Sequence, residues 1–192
     1  KQSFDTTLRF LSINASNINS LTGSAIELIT AYASFGISGL GNEAITLTDT
    51  TLASSVLNTL DGNTSGTIYS SINTLTGSAA DLITAYASSG ISDLRNEAVN
   101  VNTGTASTSQ ANTLAADTFN VVTATISDGD MATLAGLTET GNAYTITITD
   151  SSVAESALNN LDGKTNVAIN AANINTLTGS AADLNTAYAS SG

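Results

Sequence analysis

From Ser78 the chain reads SAADLITAYASSG, and Ala79, Leu82, Ile83 and Tyr86 fall at i, i+3, i+4 and i+7, one apolar stripe along an α-helix. Ser78 with Asp81 three residues on predicts its start, because a serine oxygen and a carboxylate at that spacing satisfy backbone N–H groups the first turn leaves unpaired. Gly90 predicts its end. A helix of about three turns is too short to be stable in water alone. The pattern therefore demands something to pack on.

Alternating apolar and polar positions nearby supply it. Ile45 to Thr48, Tyr144 to Thr149 and, more weakly, Val99 to Val101 read as strands with one buried face. Asp49 and Asp150 then stand where N-caps of a second kind of helix are expected, with Leu52, Val56, Leu57 and Leu60 as its stripe and Gly62 as its stop. Shorter strands are expected at Ile13 to Ala15, Thr67 to Ser70 and Val167 to Asn170.

These segments recur. LTGSAADLITAYASSG from Leu75 appears as LTGSAIELITAYASFG from Leu21 and LTGSAADLNTAYASSG from Leu177, with Ser24 and Glu27, and Ser180 and Asp183, repeating the cap pair. ITLTDTTLASSVLNTLDGNT from Ile45 returns as ITITDSSVAESALNNLDGKT from Ile146. A strand and helix this small cannot both be buried within one unit, so neighbours must stack with parallel strand pairing. The expectation is an α/β repeat solenoid of about eight stacked strand–helix coils with a parallel sheet, leucine-rich-repeat-like in logic. A β-solenoid is the alternative; the threonine content favours it and the three cap pairs oppose it. One solenoid is expected over residues 1–192, with regular coils at 13–98, diverged coils at 99–143 and regular coils again at 144–192. SFDTTL from Ser3 resembles LTDTTL from Leu47, and the third copy stops at Gly192, so the two ends look able to continue one another. That pattern suits a piece of a longer array or copies stacked head to tail.

Composition narrows the chemistry. The chain has no His, Cys, Pro or Trp, four basic residues against sixteen acidic ones, and 41% apolar residues. Triads, thiolate nucleophiles and the usual zinc ligand set are excluded. Any catalysis would rest on carboxylates, hydroxyls and Lys1, Arg9, Arg95 or Lys164, and no enzyme is expected. A net charge of −12 opposes nucleic acid and anionic membranes, and no apolar run is long enough to span a bilayer. The expected partners are neighbouring repeats of the same or an identical chain, end to end.

The stretches INTLTGSAADLITAYASSGIS, NEAITLTDTTLASSVLNTLDGNTSGTI and LTETGNAYTITITD resemble the tandem repeats of giant secreted proteins of marine cyanobacteria, of the surface type needed for swimming, and similar repeats in cyanophage structural proteins. The resemblance covers nearly the whole chain except the first twelve residues. It implies a secreted or cell-surface, non-enzymatic structural role: an elongated spacer or scaffold in a surface protein or appendage, with a self-stacking filament or phage fibre, or a calcium-assisted adhesin module, as alternatives.

Few residues stand out as sites. LDGNT from Leu60, LDGKT from Leu161 and SDGDM from Ser127 place Asp beside Gly in loops, where carboxylate and carbonyl oxygens suit Ca²⁺. Asp128 with Asp130 is the metal candidate; a helix-ending glycine beside a turn-forming aspartate is the plainer reading. No other cofactor is expected. Tyr32, Tyr86 and Tyr188 share one repeat position, and their place on the stripe predicts core residues rather than an exposed ladder for sugars. Asn14 and Asn63 begin sequons of the kind chance produces in a chain so rich in Asn, Ser and Thr. An adhesive site, if present, is expected within the drifted segment from Asn102 to Ala143, where departures from a repeat gather loops.

Overall fold

A computed structural model describes residues 12–190; Lys1, Arg9, the SFDTTL stretch and Gly192 lie outside them. The fold is α/β, with strands that pair in parallel and seven helices among the described residues. The chain runs in successive strand–helix units. The first holds β1 (Ile13–Asn14), β2 (Ser20–Gly23) and α1 (Ala25–Tyr32). The second holds β3 (Ile37–Ser38), β4 (Ala44–Leu47), β5 (Thr51–Ala53) and α2 (Ser54–Asp61). β6 (Ile68–Tyr69), β7 (Thr74–Gly77) and α3 (Ala79–Ala87) form the third, and β8 (Ile91–Ser92), β9 (Ala98–Val101) and α4 (Thr108–Asp117) the fourth. The fifth is shorter, with β10 (Val122–Thr125) and the single turn α5 (Met131–Leu134). β11 (Ala143–Thr145), β12 (Ser152–Ala154) and α6 (Glu155–Asp162) follow, then β13 (Thr176–Thr178) and α7 (Ala181–Ala189).

Every strand pairing joins one unit to the next. Ile45 sits opposite Leu21 on one side and Ile68 on the other, and Leu75 lies between Leu52 and Val99. Partners are 20 to 24 residues apart along the chain throughout. Among the described residues the strands divide into four sheets, ordered β1-β3, β2-β4-β6-β8, β5-β7-β9-β10-β11 and β12-β13. A single continuous sheet is thus replaced by several short ones, because a unit's separate strands join different sheets, as β3, β4 and β5 do. Helices contact in chain order, α1 on α2, α2 on α3, α3 on α4, and α6 on α5 and α7.

One apolar core runs through the units from Ala25 to Leu161. It takes alternate strand residues, Ile45 and Leu47 from β4 and Val99 and Val101 from β9, as period-two patterning requires. From α3 it takes Ala79, Leu82 and Ala85, while Ile83 and Tyr86 are partly buried, so the stripe is rotated slightly from the spacing expected. The expected strand Val167–Asn170 is reduced to isolated bridges at Thr165 and Asn170.

The helix starts carry one confirmation and two corrections. Ser24, Ser78 and Ser180 are N-caps, each accepting from the N–H three residues on. The reciprocal bond of a full capping box forms with Glu27 but is absent from the Asp81 and Asp183 caps; those shorter carboxylates accept from the serine hydroxyls instead. A second full box, Ser107 with Gln110, starts α4 in the drifted segment. Asp49 and Asp150 do not cap the helices that follow them. Ala53 and Ala154 occupy those N-caps without a side-chain bond, and the aspartates reach back to the preceding units. Gly90 likewise lies beyond the end of α3, whose C-cap is Ser88.

Candidate functional site

Many polar side chains of each unit bond to its neighbour. Asp49 Oδ2 accepts from the Ala25 N–H at 2.7 Å, Asp128 Oδ2 from the Thr108 N–H at 2.7 Å and Asp150 Oδ2 from the Met131 N–H at 2.6 Å. Each carboxylate thus meets the first residue of a helix one unit earlier, where unpaired N–H groups and the helix dipole favour negative charge. Asn58, Asn112 and Asn159 hold one helical position and donate their amides to carbonyls of the next unit, Asp81, Gly136 and Asp183. The Asp–Gly loops behave alike: Asp61 accepts from the Ser88 hydroxyl and Asp162 from that of Ser190, both at 2.7 Å.

Of the proposed metal ligands, Asp128 is therefore one of these inter-unit caps, and Asp130 is the N-cap of α5, accepting from the Thr133 N–H at 2.9 Å and its hydroxyl at 2.8 Å. Those bonds hold the Asp130 carboxyl below its usual range. Among the described residues no cluster of three or more acidic side chains is arranged to hold a metal ion.

Two buried acids were not anticipated. Glu43, 0% exposed, accepts from the Gly41 N–H and from the Tyr32 hydroxyl at 2.9 Å. Burial pushes its carboxyl up, but the bonds from Gly41 and from Tyr32 outweigh that and hold it below the usual value. Burial chiefly, and the bond to Glu43, push the Tyr32 hydroxyl up to about 12. Glu97, 1% exposed, repeats the arrangement with Tyr86 and the Arg95 N–H. The signal for both is NEA, from Asn42 and from Asn96, whose glutamate follows its tyrosine by eleven residues. Tyr188 differs, being 80% exposed. A third buried acid, Glu155, begins α6 with neither carboxylate oxygen bonded among the described residues, in space left by the missing side chain of Gly179.

Beside the Tyr86–Glu97 pair the repeat changes character. ISGLGNEA from Ile37 becomes ISDLRNEA from Ile91, so Asp93 and Arg95 stand where the sister unit has Gly39 and Gly41. Asp93 keeps the left-handed backbone of its glycine counterpart, φ 67° against 86° at Gly39. That conformation costs a side-chain-bearing residue energy. Across from them, Phe119 replaces Ser65, with its backbone held in the same way: the Phe119 N–H donates to the Arg95 carbonyl at 2.7 Å, as the Ser65 N–H does to that of Gly41 at 2.8 Å. Thr118 and Thr64 clamp the turn identically, donating to the Glu97 and Glu43 carbonyls. The result is a cleft of about 510 Å³ lined by Tyr86, Asp93, Arg95, Asn96, Asp117 and Phe119. Burial pushes the Asp117 carboxyl up and the Arg95 charge partly offsets this.

No family model, curated protein or solved structure matches the chain. No described helix is long and apolar enough to cross a membrane.

Proposed function

We propose that this chain is a structural repeat module of an extracellular surface protein or appendage, acting as an elongated spacer or scaffold. In this reading it is a solenoid of about eight stacked strand–helix coils. The observation that carries it is that every strand pairing among the described residues joins positions 20 to 24 residues apart, so pairing stays between neighbours and the array is extendable in principle. The use of Asp49, Asp61, Asn58 and their equivalents as links between units supports a molecule whose polar chemistry is spent on assembly. The secreted setting rests on the resemblance of the repeats to those of cyanobacterial surface proteins. Fusing two copies in tandem tests the reading by small-angle scattering: the length should double at constant cross-section. Two beads tumbling about a flexible joint would contradict it.

A second reading, end-to-end stacking of copies into a filament, is favoured by α7. Its sequence is that of α3 with Asn185 in place of Ile83, yet none of its residues is buried and Tyr188 is exposed. In α3 the matching face meets α4, and Glu97 receives the tyrosine hydroxyl. A further unit of the NEA type would complete α7 in the same way, and a heterologous contact of that kind propagates unless it closes into a ring. Light scattering at rising concentration should show growth that Tyr188→Asp suppresses; a persistent monomer rules this reading out.

A further inference from the structure

We infer that Phe119 and the clefts on its two sides form a binding site for a neutral oligosaccharide. Phe119 is 76% exposed, with its backbone fixed to the Arg95 carbonyl and the neighbouring Asn120 amide bonded to the Asn96 carbonyl. With the backbone beneath it fixed in this way, the exposed ring offers a flat apolar face. On one side lies the 510 Å³ cleft of Asp93, Arg95, Asn96 and Asp117. On the other lies a second cleft of about 450 Å³, lined by Asn120, Glu139, Thr140 and Asn142 and sharing Phe119. A ligand laid across the ring therefore meets polar groups at both ends.

The chemistry of those groups selects the ligand. Carboxylates at Asp93, Asp117 and Glu139 accept hydrogen bonds, the Arg95 guanidinium donates in a planar fork, and the amides of Asn96 and Asn120 add side-chain donor and acceptor groups. Adjacent hydroxyls on a sugar ring both donate and accept, and the C–H face of a pyranose stacks on an aromatic ring. Three acids against one cation disfavour a phosphorylated or sulfated ligand. Ile91 and Leu94 also line the first cleft and add apolar surface that suits the C–H faces of a sugar. The site also occurs where the repeat is broken: Gly39, Gly41 and Ser65 at the equivalent positions carry no such groups.

That sister unit supplies the control. The triple variant Asp93→Gly, Arg95→Gly, Phe119→Ser installs residues with which the same backbone already folds, so it should melt as a folded protein. Titration of the full chain with maltohexaose, cellohexaose and mannohexaose, followed by NMR, should give saturable shifts for at least one sugar. Phe119→Ala should weaken that binding about ten-fold or more, and the triple variant should abolish it. Absence of binding to all three sugars and to a wider glycan array overturns the inference. So does sugar binding that survives in the triple variant, or a cleft that binds peptides and no sugar.

Discussion

The Asp49 carboxylate accepts the Ala25 N–H at 2.7 Å across 24 residues of chain, so the start of one helix is completed by the unit that follows it. Helix formation and stacking are thereby coupled. Asp49→Ala should cost about 0.5–2 kcal/mol, the usual range for losing a side-chain cap. Hydrogen exchange at Ala25 should rise at the same time. Unaltered exchange there would show that the bond contributes nothing.

Gly77 and Ser54 form a second link. Gly77 has φ 152°, and a Cβ there would collide with Ser54 Oγ, which is itself buried. Gly77→Ala should destabilise by about 1–3 kcal/mol, the common cost of overpacking. Adding Ser54→Ala should return part of that loss, a coupling readable from denaturant melts of the four proteins in the cycle. Strict additivity would assign the whole cost to backbone strain.

The tyrosines set an alkaline limit. Burial and the nearby Glu43 push Tyr32 up to about 12, and burial and Glu139 do the same to Tyr144. A hydroxyl with a raised folded pKa adds stability that is full below its unfolded value near 10 and declines as pH rises towards 12. Melting temperature should therefore hold up to about pH 10 and fall above it. Tyr32→Phe should flatten that fall; an equally steep decline would deny the tyrosine its part.

Much of this fold was legible because its local signals agree. The stripe of Ala79 and Leu82, the Ser78 cap and the alternation of Ile45 and Leu47 are short-range features that packing reinforces. The destinations of the aspartates were not legible. Asp49 stands four residues before the N-cap Ala53, at a place that suits a local cap, and nothing in the sequence says that its oxygen turns to a helix one unit earlier. The NEA glutamates were missed because an acid in a polar loop reads as exposed until its tyrosine partner is placed. The Phe119 cleft was visible only as drift in the repeat, since Arg95 and Phe119 are brought together by stacking.

Chelation should leave the melting temperature unchanged, because Asp128 Oδ2 is engaged by the Thr108 N–H and Asp130 Oδ1 by Thr133. A marked drop on adding chelator, restored by Ca²⁺, would assign those carboxylates to a cation.

If the units stand in a row, as proposed, with strands paired only between neighbours, distances between equivalent points will show it most directly. Thr30, Thr59, Thr84, Thr113 and Thr186 are exposed and occupy equivalent places on α1, α2, α3, α4 and α7, each donating to the carbonyl four residues back. With no native cysteine, spin labels can be attached to introduced cysteines at Thr30 and at each of the others in turn. The distance from Thr30 should increase at every step, by about 8–10 Å for each packed helix, and be greatest to Thr186. A Thr30 to Thr186 distance as short as that from Thr30 to Thr59 would mean that the helices close around one globular core, and would contradict the account.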